Sequence, residues 1–293
     1  MSKWTSFQAR IYNLIPPFLR RPANSLRILP SYLLWRSSKS GRKHAKTILS
    51  PLHNRYEGYR CIIIGNGPSL NKMDLSVLKD EYTFGLNRIY LLFEKMGFET
   101  SFLVTTNGLV LQQFAEDLKG VNSLKLFNWL HREYCQADEN TVFLCSKPGS
   151  RIKGNILNGY FLGGGTVTNL ALEIAFYLGF SEVILIGVDH TYREQGQAGL
   201  PVVSKGEDRN HFSPDYFGKG TVWQLPNFVT MEHGYRQNRK LFEKANRIVV
   251  DGTLEGKLDI FPKVSFQKYL STSRYQNKLA RLDDKQITTK GSE

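Results

Sequence analysis

Arg60-Cys61-Ile62-Ile63-Ile64-Gly65-Asn66-Gly67-Pro68-Ser69-Leu70 is the stretch whose reading decides the fold. Four apolar residues, three of them β-branched, run without a polar break into a Gly-Asn-Gly-Pro-Ser turn, and a short run bounded in this way reads as a buried strand. Glycine lets the backbone turn sharply and approach a ligand, Pro68 suits a first helical position, and Ser69 adds a hydroxyl. A helical start over Asn71 to Leu78 would leave free N–H groups facing an anion, with a nucleotide's phosphates as the expected occupant. The string has neither GxGxxG spacing nor the lysine of GxxxxGK[ST]. The alternative is a tight turn with no ligand. Its place after the first strand of an apparently doubly wound sheet, where ligands gather at the carboxyl ends, favours a ligand.

Working outward, apolar runs alternate with amphipathic stretches. Strands are expected at Arg60 to Ile64, Tyr82 to Leu86, Phe102 to Thr105, Leu124 to Phe127, Thr141 to Leu144, Glu182 to Ile186 and Arg247 to Val250. Strands spaced by helical patterns imply an α/β fold with a mainly parallel sheet flanked by helices. The clearest helix is Thr166 to Leu178, with Val167, Leu170, Ala171, Ile174, Ala175 and Leu178 on one face and Gly179 as its stop. Residues 193–228, rich in Gly, Pro and Asn, read as a long irregular loop that covers or shapes a site. Three parts are expected: a basic extension over 1–58, a nucleotide-binding domain over 59–266 and a polar, frayed tail over 267–293.

The chain has 293 residues and a formal charge of +13. Ten of its 39 Lys and Arg lie in residues 1–50, which contain no Asp or Glu, so the body is nearly neutral. Trp4, Phe7, Tyr12, Phe18, Leu19, Leu33, Leu34 and Trp35 are interleaved with those cations. The segment reads equally as a surface for an anionic membrane or as helices packed on the body with their charges in water. Nucleic acid is not an expected partner, because no recognised module follows the basic segment. Three scattered cysteines without CxxC spacing give neither a disulfide framework nor a zinc site. No run nears the roughly 20 apolar residues that span a bilayer, so the expectation is a cytoplasmic protein, peripheral at the inner face of the membrane.

Several residues are candidates for chemistry. Asn66, Asn87 and Asn107 fall at or just after strand ends and offer donors and acceptors to a base, ribose or sugar without charge. Gly163-Gly164-Gly165-Thr166-Val167-Thr168 opens the strong helix and makes a second concavity of backbone donors, with Thr166 or Thr168 as a cap or a phosphate contact. Asp189, after the strand ending at Ile186, is placed to hold Mg²⁺, a ribose or a reacting hydroxyl, and Tyr192 to donate to a leaving phosphate. His190, His211 and His233 are all suitable general bases, and spacing does not choose among them. Neither HExxH nor GxSxG occurs.

Gly65-Asn66-Gly67-Pro68-Ser69-Leu70, Asn87, Gly165-Thr166-Val167-Thr168 and Ile186-Gly187-Val188-Asp189 together resemble the domain of 6-hydroxymethylpterin diphosphokinase-like proteins. They also resemble the related bacterial sialyltransferases of surface polysaccharide and lipooligosaccharide synthesis. The resemblance covers about Tyr59 to Phe266. It implies a Rossmann-like fold and a transferase. In the sialyltransferase branch, which is preferred, no cofactor is tightly bound and no metal is needed. A CMP-sugar donor would be held by Gly65, Asn66, Gly67, Ser69, Asn87, Asn107, Gly164, Gly165, Thr166 and Thr168, and the acceptor would be a carbohydrate. Tyr192 would assist departure and His233 would be the base, with Asp189 and His211 as further catalytic candidates. The paired tyrosines of that branch are only partly reproduced, since Tyr192 has no tyrosine after it before Tyr216. The diphosphokinase branch implies ATP with Mg²⁺, and Asp189 as the metal ligand. A third reading is a nucleotide-binding protein without catalysis.

Overall fold

The computed structural model describes residues 17–147, 152–158, 160–161, 165–194 and 196–277. In chain order the helices are α1 (Pro17–Ser37), α2 (Lys39–Leu49), α3 (Phe93–Met96), α4 (Gly108–Lys119), α5 (Val167–Leu178), α6 (Phe228–Lys244) and α7 (Phe266–Thr272). The strands are β1 (Arg60–Ile64), β2 (Tyr82–Leu86), β3 (Phe102–Thr105), β4 (Leu124–Asn128), β5 (Thr141–Leu144), β6 (Ser146–Lys147), β7 (Tyr160–Phe161), β8 (Glu182–Ile186), β9 (Pro201–Val203), β10 (Val222–Gln224) and β11 (Ile248–Asp251). Seven of them form one sheet in the order β11-β8-β1-β2-β3-β4-β5, every pair parallel. The chain steps outward from β1 in one direction as far as β5, then returns to β8 on the other side of β1. This α/β, Rossmann-like sheet therefore has its switch point between β1 and β8.

The sheet is buried on both faces, as continuous apolar strands require. Successive side chains point to opposite faces, so Cys61 and Ile63 enter one core with Phe84, Val104 and Leu185, while Ile62 and Ile64 enter the other with Leu103, Ile184 and Ile186. α5 seals the first face against β1, β2 and β3. Thr166 caps it, and Gly179, at φ 98° and with no room for a Cβ beside Asn54, ends it. The second face is covered by α4, whose cap is Asn107, and by Leu70, Leu75 and Leu78.

Three expectations need correction, and for the basic extension the packed one of its two readings is seen. No α-helix follows the glycine turn: Pro68–Lys72 and Ser76–Leu78 are separate 3₁₀ turns, with Met73 extended between them and Asp74 bonding the Ser76 N–H. Residues 193–228 are more regular than expected, because β9 and β10 pair antiparallel within them, and Phe212, Tyr216, Phe217, Trp223 and Leu225 are buried. The tail is anchored beyond 266. Glu182 is buried and accepts from the Tyr269 and Ser273 hydroxyls at 2.7 and 2.5 Å, and Gln276 bridges to Tyr59. Lastly, the basic extension is seated on the body: Trp35 meets Trp129 edge-on at 5.0 Å, Ala45 and Leu49 join the core, and His44 bonds the Thr141 carbonyl at 3.0 Å. Among the described residues no helix is long and apolar enough to cross a membrane.

Candidate functional site

At the switch point the turns after β1 and β8 lock together. The Gly65 N–H donates to Ile186 O and the Gly67 N–H to Gly187 O, both at 2.8 Å. The Ser69 N–H and hydroxyl donate to Asp189 Oδ1 and Oδ2 at 3.1 and 2.7 Å. A Cβ on Gly65 would stand 2.2 Å from Gly187 O, and one on Gly67 1.7 Å from Asp189 Oδ2. These glycines are required by the approach of two turns of the same chain, and their N–H groups already have protein acceptors. The expected phosphate grip by Gly65, Gly67 and Ser69 is corrected accordingly. Burial pushes the Asp189 carboxyl up, against the pull of the two Ser69 bonds.

Three side-chain atoms along the same edge are buried and lack a partner among the described residues: Asn66 Oδ1, Asn87 Oδ1 and His190 Nδ1. They follow β1, β2 and β8, three adjacent strands. Buried polar atoms are normally paired, so a row of such atoms at one edge calls for a ligand or ordered water. Asn87 and His190 have left-handed backbones, at φ 50° and 57°, a strain for histidine that collects at functional sites. The His190 side chain is 7% exposed and its Nε2 lies 3.3 Å from Glu232 Oε1. That contact holds the Glu232 carboxyl below the usual range.

The segment after β8 closes over this edge. The Phe212 N–H donates to Asn66 O at 2.9 Å, and Asn71 Nδ2 to Phe212 O at 2.7 Å. Arg88 is buried, donates to the carbonyls of Asp215 and Tyr216, and lies over the Phe114 ring at 3.6 Å. His211 Nδ1 donates to Asp208 Oδ2 at 2.7 Å, an oxygen that also accepts the Phe217 N–H. The His211 ring stacks on Tyr216 at 4.0 Å and meets Tyr192 at 6.2 Å. Tyr216, 24 residues beyond Tyr192 in sequence, is thus its neighbour across one imidazole. Burial pushes the Tyr192 phenol up to about 12 and raises Tyr216 as well, so both are neutral donors near pH 7. The Arg88 N–H donates to the Tyr216 phenol oxygen at 3.4 Å.

Other expected residues have local duties. Asn107 Oδ1 caps α4 by accepting the Leu109 N–H, and Thr166 Oγ1 caps α5 by accepting from Thr168. Gly165, at φ 66°, lies against Thr230 and Met231. Thr168 is buried, with Thr166 Oγ1 and the Tyr235 phenol beside it. Gly163 and Gly164 lie outside the described residues. His233 sits in the second turn of α6 with Nε2 2.6 Å from Gln237 Nε2. Its neighbour Glu232 is the residue that reaches His190, a pairing across 42 residues that no local motif marks. A separate cavity of about 280 Å³ is lined by Lys119, Lys125, Cys135 and Asp138, but its Lys125 and Asp138 are paired at 3.0 Å, unlike the open acceptors at the strand ends.

The fold and this edge define a doubly wound α/β protein with a row of polar side chains at its switch point. The sequence model of the family described as 6-hydroxymethylpterin diphosphokinase MptE-like matches residues 39–195, more than half of the chain, and the chain belongs to that family. Among solved structures, a MAf glycosyltransferase from Magnetospirillum magneticum AMB-1 is similar with a TM-score of 0.49 and 14% identity. That match covers 86% of this chain and 42% of the glycosyltransferase chain, so the protein spans less than half of that relative's length. No curated protein sequence matches.

Diphosphokinase chemistry employs Mg²⁺, which takes oxygen ligands from one or two carboxylates besides the phosphates. Both Asp189 oxygens accept from Ser69, and among the described residues no three His, Cys, Asp or Glu side chains converge to hold a metal. Asp189, whose oxygens keep lone pairs beyond those that Ser69 occupies, would be the residue to hold that ion beside the phosphates.

Proposed function

We propose that the protein is a transferase that holds a nucleotide-activated donor at the carboxyl ends of β8, β1 and β2 and passes its activated group, a sugar, to an acceptor hydroxyl. The observation that carries this reading is the row of unpartnered acceptors, Asn66 Oδ1, Asn87 Oδ1 and His190 Nδ1, on three adjacent strands. Acceptors want O–H or N–H donors, which a ribose, a base amino group or a sugar supplies and a fully ionised phosphate does not.

The chemistry is assigned to two groups of the segment that follows β8, His211 and Tyr192, whose rings meet at 6.2 Å. The Nδ1–H of His211 donates to Asp208, which orients the neutral imidazole with its lone pair on Nε2. Nε2 takes the acceptor's proton as its oxygen attacks the sugar's anomeric carbon. The bond from that carbon to the phosphate oxygen breaks, and the nucleotide leaves with the electron pair. Tyr192, neutral near pH 7, donates to the departing oxygen. Direct displacement inverts the anomeric centre. The diphosphokinase reading is supported by family membership, with Asp189 as the residue that would meet its metal.

The test is His211→Gln, assayed for CMP release from a CMP-sugar in EDTA and for CMP binding by calorimetry. Turnover falls by about 10²–10⁴-fold, as loss of a general base does, while the Kd for CMP moves less than about twofold. Unchanged turnover would remove His211 as the base. Turnover of ATP only with Mg²⁺ would favour the diphosphokinase.

A further inference from the structure

α1 carries two apolar stripes on opposite sides. Ile28 and Trp35 are buried against the body, with Tyr32 packed alongside. At 100° per residue, Leu26, Leu29, Leu33 and Leu34 fall about half a turn away from those seats, and they are 69, 38, 57 and 56% exposed. α2 repeats the division with charge in place of leucine. Ala45 and Leu49 seat it, Lys39 and Lys43 project away from them, and Arg42 and Lys46 are exposed along its flanks, with exposed Arg36 at the end of α1. Residues 17–52 contain no Asp or Glu, and among the described residues none of these five cations is in an ion pair.

We infer that α1 and α2 form a surface that lies on an anionic lipid bilayer, with the leucines in the acyl boundary and the cations against the headgroups. An exposed leucine row marks an interaction face. Its unpaired cations select an anionic occupant, and the leucines select one with an apolar layer behind the charge, which a headgroup surface has and a nucleic acid lacks. A second copy of the chain is disfavoured, because a two-fold interface would bring the same cations face to face. The inference is independent of the donor chemistry proposed for the strand ends.

The experiment is co-sedimentation of the full chain with phosphatidylcholine vesicles, alone and with roughly one third phosphatidylglycerol, at rising salt. Two variants accompany it: Leu33→Ser with Leu34→Ser, and Lys43→Gln with Lys46→Gln. Because all four positions are exposed, each variant melts within about a degree of its parent. The expected result is binding to anionic vesicles alone that weakens with salt, about tenfold weaker for the leucine pair and about fivefold weaker per cation removed. The inference is overturned by no binding, by equal binding to neutral vesicles, by binding unchanged in both variants, or by a dimer that the leucine pair dissociates.

Discussion

Gly65 illustrates how one residue type answers two demands that look alike in a sequence. A Gly-rich turn after a strand suggests close approach of a ligand, yet the neighbour that forbids a side chain here is the carbonyl of Gly187, more than 120 residues away. Nothing local reveals that partner. Gly65→Ala is therefore expected to destabilise the fold by about 3 kcal/mol, the upper range for forcing atoms into packed space. Gly206→Ala, where a Cβ meets nothing within 4 Å, should stay within about 0.5 kcal/mol. Guanidinium midpoints of the two variants check this, and equal midpoints would contradict the interlock. The same ambiguity explains Asn107 and Thr166, since the side chains that cap helices are those that contact ligands. Asn66, Asn87, Tyr192, His190 and His211 could be nominated from their places after strands or within the loop. Their carboxylate partners Glu232 and Asp208, and the approach of Tyr216 to Tyr192, depend on the folded chain.

At the scale of elements, the seven sheet strands are readable because a strand buried on both faces must be a short apolar run, and α5 is readable because its apolar residues recur at helical spacing before Gly179. The segments that resisted reading are those stabilised from outside. α7 is a polar stretch that finds buried Glu182, and residues 193–228 are ordered by aromatic packing and by ties to the turns after β1 and β2. Arg88 supplies one such tie through the carbonyls of Asp215 and Tyr216. Arg88→Gln should let this cover open locally, so the amides of Phe212 and Tyr216 exchange with solvent at least about tenfold faster while β1, β2 and β8 keep their protection. Uniform loss of protection would mean that Arg88 holds the core instead of the cover.

Across the whole molecule, the buried charged groups at the amino ends of the sheet are paired, while unpartnered buried atoms occur singly elsewhere, as at Thr100 and Trp129, and as a row at one carboxyl edge. At the amino ends, buried Arg60 pairs with Glu81 through two bonds at 3.0 and 2.6 Å, and Glu182 has both oxygens satisfied. At the carboxyl ends of β8, β1 and β2, three buried acceptors have no partner among the described residues. A stable fold tolerates few such atoms, so their concentration at the switch point is the feature on which the functional account rests. The most direct test is the melting temperature of the full chain with CMP, a CMP-sugar, UDP, GDP and ATP, each in EDTA and in Mg²⁺. A ligand that binds only the native state at about 100 times its Kd adds about 2.7 kcal/mol, a rise of about 4–5 °C for a chain of this size. The account predicts that rise with a CMP compound in EDTA and its loss in Asn87→Ala. Stabilisation by ATP with Mg²⁺ alone, or an undiminished rise in Asn87→Ala, would contradict it.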